Sequence, residues 1–363
     1  NIPRRSDTGR ALNLNLLIRI HTNEGITGVG SAHMIPNFGE TGPEALLMVK
    51  EHYTPLLLNE NPMNIELIMG KLDRFFYVAH VTTQAAVDIA LHDIKGKALG
   101  VPVHQLLGGP VRSKVQLLAP QIQRGTPKEQ SEDALRWVKE GFTAIKLKVG
   151  GSDTEEDVAR VKEVRRTVGE SIEIRIDANQ YYDPLEAIKL INKLEPFDLA
   201  WVEDPVRSMR FSWDLEGLAH VHRKVNVPIE AGQLGTATDM LKVIRMQAVD
   251  CLKMKLVRGG GLLKSKKSIA IAEAANMSLV TGNGGDNDIN FAAEVHLTAS
   301  SPHLTRACES TGSWTMPEGF RLVKDPLMVK DGYVNVPDKP GLGVELIDVD
   351  RLEELIEKFP VAA

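Results

Sequence analysis

Cysteine is scarce in this chain of 363 residues: Cys251 and Cys308 are the only two, and both sit in apolar runs. A disulfide framework is therefore not expected, and a reducing, cytoplasmic setting is. No run of about 18 apolar residues is present to span a membrane. The start carries no signal-peptide pattern. The sequence opens at Asn1, without a methionine and already close to a strand, so some leading residues are expected to precede it. Positive charge is not in excess either. The 43 Lys and Arg against 48 Asp and Glu give a formal net charge of −5, which speaks against a nucleic-acid partner. Internal repeats and low-complexity stretches are also lacking.

What is present is an ordinary globular composition, 43% hydrophobic and 25% charged. The length suffices for a barrel-sized domain and a smaller one. Residues 12–20 alternate, a turn follows at Asn23-Glu24-Gly25, and residues 27–32 continue as a second strand. A loop at 33–43 precedes helical patterns at 44–53 and 82–99, the latter closed by Gly100 and Pro102. From about Lys114, short apolar strands alternate with amphipathic helices. The strands read as 115–122, 144–149, 172–178, 199–204, 228–233, 251–256, 277–282 and 304–309. The intervening helices include 127–140, 153–168, 184–194, 240–247 and 262–275. Such alternation predicts parallel strands with right-handed crossovers. Eight strands favour a closed barrel. A doubly wound sheet is the runner-up, disfavoured because no Gly-rich phosphate loop follows the first strand. After Trp314 the alternation stops, and the turn-rich tail is expected to pack back on the N-terminal segment.

In a barrel, functional groups gather at the C-terminal strand ends. Lys146 and Lys148 lie two apart in Ile145-Lys146-Leu147-Lys148, so they share one face. Two neighbouring ammonium groups disfavour charging both, which predicts a lowered pKa and a general base. The alternative is an exposed edge with two solvated lysines. The next two strands end in Asp177-Ala178-Asn179 and Glu203-Asp204-Pro205. Carboxylates on adjacent strand ends suggest a hard, oxygen-ligated cation such as Mg²⁺, with Mn²⁺ as a substitute. The alternative is plain salt bridging to the lysines. Lys253 and Lys255 repeat the lysine spacing on the sixth strand. Lys255 would face Lys148 across the mouth, an arrangement suited to removing a proton from one face of a carbon and returning it to the other. Lys253 reads as a solvated or supporting lysine.

These residues resemble the enolase superfamily, in its muconate lactonizing enzyme subgroup. The resemblance covers nearly the whole chain. It rests on Thr83 to Lys97, Leu106-Leu107-Gly108-Gly109, the Lys146/Lys148 pair, Asp177 with Asn179, Glu203-Asp204-Pro205, Lys255 before Gly259-Gly260-Gly261, and Pro340-Gly341-Leu342-Gly343. It implies a modified (β/α)7β TIM barrel over residues 113–322. An α+β capping domain would be built from residues 1–112, with the segment 323–363 packing on it. It implies Lys148 and Lys255 as acid/base residues tuned by Lys146, Asp177 and Glu203 as Mg²⁺ ligands, and a capping loop over the substrate. In that loop His33, Met34, Asn37 and Phe38 are candidate contacts. Homo-oligomers are common in the family. The mandelate racemase subgroup places a histidine after the seventh strand. Here Thr281-Gly282-Asn283-Gly284 has none, which favours the two-lysine subgroup.

One departure concerns the third family ligand, a carboxylate at the end of the fifth barrel strand. This chain reads Pro228-Ile229-Glu230-Ala231-Gly232-Gln233. Gln233 takes that place as a neutral, weaker ligand, assisted by Asp204 or water, while strand alternation should turn Glu230 away from its face. The chemistry implied is proton abstraction α to a carboxylate. The Asp-x-Asp of family dipeptide epimerases is absent after the eighth strand. Glu309 is instead a candidate to meet a substrate ammonium, and Trp314 to offer a cation–π face, with ordinary packing as the equal alternative for Trp314. Asn179 and Asn283 complete the expected substrate contacts, and Asp286 and Asp288 are further polar candidates. The expectation is a racemase or epimerase of a small amino-acid-type carboxylate, proline- or betaine-like included. A dehydratase of a hydroxy acid or hydroxyproline and a cycloisomerase are alternatives. So is a non-catalytic carboxylate-binding homologue.

Overall fold

The computed structural model describes residues 14–34, 39–75, 80–151, 153–208, 213–282, 287–315 and 321–348. The alternating first segment forms a hairpin, in which β1 (Leu14–His21) pairs antiparallel with β2 (Thr27–Met34). Helices α1 (Gly42–Met48), α2 (Thr54–Leu57), α3 (Ile65–Phe75), α4 (Val81–Leu99) and α5 (Val103–Leu106) follow. α4 is buried on nearly every face. The hairpin covers one side of it, and Asp88 on the other accepts from the backbone N–H of Leu262. Gly30 makes the hairpin contact possible, because a Cβ there would collide with the Ala86 carbonyl. Leu16, Ile18, Met34, Ile68, Met69 and Leu91 share the core beneath the hairpin.

The barrel begins after β3 (Lys114–Gln116). Its six-stranded sheet runs β4 (Ala144–Lys148), β5 (Glu173–Asp177), β6 (Leu199–Glu203), β7 (Ile229–Leu234), β8 (Cys251–Met254) and β9 (Ser278–Thr281), all parallel and in sequential order. Helices α6 (Pro127–Lys139), α7 (Thr154–Val168), α8 (Pro184–Leu194), α9 (Leu215–His222), α10 (Ala237–Arg245), α11 (Leu262–Ala274) and α12 (Asp288–Ala299) supply the crossovers. Their starts follow from sequence. Thr126 with Glu129, Asp183 with Glu186 and Thr236 with Asp239 form reciprocal capping boxes. α9 escaped the sequence reading.

Two expected barrel strands, 115–122 and 304–309, are largely irregular yet still close the ring. Leu117 bridges to Cys308 and Ile122 to Leu147, both parallel, and Glu309 N–H donates to the Thr281 carbonyl of β9. Pro120 explains why the first is not a regular strand, since it has no N–H for the ladder. The eight-membered ring excludes the doubly wound alternative. In the tail, β10 (Val329–Lys330) pairs with β11 (Tyr333–Asn335), and β11 pairs with β3. Asp93 of α4 accepts from both Val29 N–H and Leu342 N–H, tying the tail to the hairpin and its helix. The fold is thus α/β: a modified barrel with an α+β cap. Among the described residues, no helix is long and apolar enough to cross a membrane.

Candidate active site

Strand register sets the site. Lys148 pairs with Asp177, and Asp177 with Glu203, so three functional groups sit side by side at the ends of β4, β5 and β6. Lys255 follows the end of β8. In the eight-membered ring β4 and β8 are four places apart, so Lys148 and Lys255 approach the mouth from opposite sides. Lys148 donates to Asp177 Oδ2, and Asp177 also accepts from Asn179 through its N–H (2.8 Å) and its Nδ2 (3.1 Å). Asn179 itself is exposed, with φ 47°. Its observed role is to orient Asp177.

Beneath the mouth lies a fully buried ionic layer. Lys146 donates to Glu203 and Glu309, and Lys253 is ion-paired with the same two carboxylates. Arg175 donates to Glu309 Oε1 at 2.8 Å and stacks over Trp201. Burial alone would lower the Lys146 pKa, but Glu203 and Glu309 outweigh it and raise it. Burial would raise the Glu309 pKa, but Lys146 and Lys253 pull it down to about 2. For Glu230, burial with Glu309 and Glu203 nearby outweighs Lys146 and Lys253 and raises its pKa well above the usual carboxylate range. Glu203, Glu230 and Glu309 are the one group of three acids, among the described residues, whose oxygens come within 4.8 Å of one another. Lys146 and Lys253 already supply the positive charge there.

The mouth is different. Burial, with Lys253 adding repulsion, lowers the Lys255 pKa to about 8. Burial, with Glu203 and Asp177 nearby, raises the Asp204 pKa to about 7. Gln233 Nε2 donates to Asp204 Oδ2 (2.9 Å), while Gln233 Oε1 accepts from Arg258 (2.7 Å).

Several expectations need correction. Glu309 does not face a substrate ammonium; it points inward and is held by Lys146, Lys253 and Arg175. Trp314 offers no face at the mouth. It stacks on Phe142 at 5.8 Å and meets Trp137 edge-on, beside the start of β4 at the far end of the barrel. Lys146 is committed to Glu203 and Glu309 rather than free to tune Lys148, and Lys255 at the mouth has a lowered pKa. Of the two roles expected for Lys253, the solvated one fails and the supporting one agrees with its burial against Glu203 and Glu309. Gln233's oxygen is taken by Arg258, and Glu230 points into the interior. Met34 belongs to the core under the hairpin. His33 lies two residues beyond Ser31, whose Oγ accepts from Asn287 at the loop after β9, so that face of β2 meets the barrel mouth. Asp288 starts α12 and accepts from Leu322 N–H. Asn37, Phe38, Asn283 and Asp286 lie outside the described residues. Missed altogether were Arg175 and Arg258. Arg175 was within reach, since it precedes Asp177 by two residues just as Lys146 precedes Lys148.

Residues 129–350 match the family described as enolase C-terminal domain-like. Residues 8–108 match the mandelate racemase/muconate lactonizing enzyme N-terminal domain. The chain belongs to the enolase superfamily, in its muconate lactonizing enzyme subgroup. It is 34% identical over 337 residues to muconate cycloisomerase 1 of Rhodococcus opacus, covering 91% of this chain and 88% of that one. It is 30% identical over 344 residues to the N-succinyl-L-Arg/Lys racemase of Bacillus cereus, covering 94% and 90%. The solved structure of that racemase superposes with a TM-score of 0.86. A dipeptide epimerase from Cytophaga hutchinsonii, solved with Mg and the dipeptide D-Ala-L-Val, superposes at 0.83 with 27% identity, covering 93% of this chain and 90% of that one. Its relatives are named as racemases, epimerases and cycloisomerases, and the chain is an enzyme of this isomerase group.

Proposed function

We propose that this enolase-superfamily member racemises or epimerises a small amino-acid-type carboxylate, with Lys148 and Lys255 as its two acid/base groups and Mg²⁺ as its cofactor. The observation that carries the reading is the placement of these lysines half a ring apart, flanking Asp177 and Glu203. The donor set fits the ion in kind: Asp177 and Glu203 are hard carboxylate donors on register-paired strand ends, and Mg²⁺ is commonly held by one or two carboxylates with water and substrate. When bound, Mg²⁺ would supply Lewis-acid stabilisation of the negative charge that develops on the substrate carboxylate.

The chain's own residues do the rest. A neutral Lys255 can take the α-proton from one face, and a protonated Lys148 can deliver one to the other. Reversal exchanges the roles. The buried layer beneath holds Glu203 in place through two lysines. The cap closes the mouth from the β2 side, through Ser31 and Asn287.

The relatives' substrates make N-acylated amino acids and dipeptides the first compounds to try. The test is a panel of these, with free amino acids, betaines and sugar acids, incubated with protein and Mg²⁺ in D₂O and followed by NMR and mass spectrometry. Deuterium at Cα without loss of water is the expected result. A keto or imine product would instead establish dehydration, and a lactone cycloisomerisation. No exchange with any compound would overturn the reading.

A further inference from the structure

The end of β7 is where this chain departs from a site with one carboxylate from each of three strands. Gly232 there has no side chain, and the space a side chain would enter is already taken. A Cβ at Gly232 would run into Glu203 Oε1 and stand 2.8 Å from Asp204 Oδ2. Both groups come from the end of β6. In a regular strand consecutive residues face opposite sides. Asp204 escapes that rule because its backbone turns left-handed, φ 45°, a conformation Asp tolerates better than most residues. Glu203 and Asp204 therefore reach the same volume from consecutive positions, and Asp204 is only 1% exposed.

Its neighbours fix it there. Gly232 N–H donates to Asp204 Oδ1 at 2.8 Å, and Gln233 Nε2 to Oδ2 at 2.9 Å. Each carboxylate oxygen keeps a further lone pair after accepting one hydrogen bond. Gln233 Oε1 accepts from Arg258 and carries no charge.

We propose that Asp204 supplies the third carboxylate of the divalent-cation site, beside Asp177 and Glu203, with Gln233 and Arg258 bracing it. The third ligand has moved from the fifth barrel strand to the residue after the fourth. Three anionic donors are thereby kept where a glutamine ligand would leave two. This inference rests on the Mg²⁺ reading above.

The test is Mn²⁺ affinity of the full-length protein, measured by the free-ion EPR signal and by calorimetry, with folding checked by circular dichroism. Asp204→Asn should weaken binding at least about tenfold, and Gln233→Ala should change it by less than about threefold. Gln233→Glu, which keeps Asp204 but replaces its Nε2 donor with a carboxylate, should not tighten binding; it keeps the test open if Asp204→Asn does not fold. Tightening of about tenfold in Gln233→Glu, or wild-type affinity in a folded Asp204→Asn, overturns the placement of Asp204. If the wild-type protein binds no Mn²⁺ at millimolar concentration, the metal reading fails with it, so the two failures are separable.

Discussion

The buried layer and the mouth of this barrel are built from the same residue types, yet they have opposite electrostatic character. In the layer, Lys146, Lys253 and Arg175 face Glu203 and Glu309, and each charge is matched by partners in contact. At the mouth, one turn of the alternation higher, Lys255 and Asp204 are pushed toward neutrality, to about 8 and about 7. Depth does not explain this, because both sets are buried. Pairing does: burial penalises a charge everywhere, and only the layer offers enough opposite charge to outweigh it. The charges of the layer are therefore held by their partners, while Lys255 at the mouth can exchange a proton near neutral pH.

The sharpest way to break this comparison is to remove the mouth lysines. Lys148→Ala and Lys255→Ala should each lower turnover by about 10⁴-fold, the upper range for a positioned acid/base group. Each should keep α-proton exchange for the one enantiomer that the remaining lysine reaches. The melting temperature should hardly move in Lys255→Ala, whereas Lys148→Ala also breaks the buried pair with Asp177 and should lower it. Chiral chromatography alongside NMR in D₂O reads all of this, and full activity in both variants would remove the lysines from the mechanism.

The layer should respond in stability instead. Glu309→Gln strips an anion from between Lys146, Lys253 and Arg175 and leaves buried positive charge unmatched. Breaking a buried pair in this way costs about 3–5 kcal/mol. Urea titration should show that loss, and a change under about 1 kcal/mol would mean the layer is better solvated than its burial implies.

How much of this was legible in the sequence follows from the geometry. The i, i+2 spacing of Lys146 and Lys148 gave their common face, and strand–helix alternation gave the barrel. Glu309 was misread because a carboxylate at a strand end looks the same in sequence whether it points to the mouth or to the layer below. The stagger of the closed ring decides that, and stagger is a property of all eight strands together. Gln233 was placed by its match to the family pattern, which does not tell which face it takes. The register of β7 against β8 shifts between Ala231 and Leu234, so counting by twos along that strand does not tell it either. Asp204 was read only as an assistant to Gln233, because no spacing rule anticipates a left-handed backbone in a non-glycine residue. Trp314 was read from its proximity in sequence to a strand end, but the chain between them crosses to the other end of the barrel.

A smaller effect, of about tenfold, should appear with pH. The Lys255 pKa is lowered to about 8, so from pH 7 to pH 9 its neutral fraction rises from roughly a tenth to roughly nine tenths. Turnover in the direction that uses Lys255 as base should rise over that range. The reverse direction should rise in parallel, because its productive form, with the proton on Lys255 and off Lys148, carries the same number of protons. Initial rates from each enantiomer at low substrate across pH 6.5–9.5 test this, and flat profiles would show that Lys255 does not titrate there.

The smallest expected effect falls on a residue that belongs to neither region. Trp314 is half-buried and packs on Phe142 and Trp137, away from every group at the mouth. Aromatic pairs of this kind contribute about 0.5–1.5 kcal/mol beyond their buried area. Trp314→Leu should therefore lower the melting temperature by a few degrees, on the order of 2–4 °C per kcal/mol for a chain of this size or smaller. It should leave KM and kcat unchanged for whichever substrate the exchange screen identifies. A rise in KM confined to cationic substrates would restore Trp314 as a binding face, and would mean that the segment carrying it swings to the mouth during turnover.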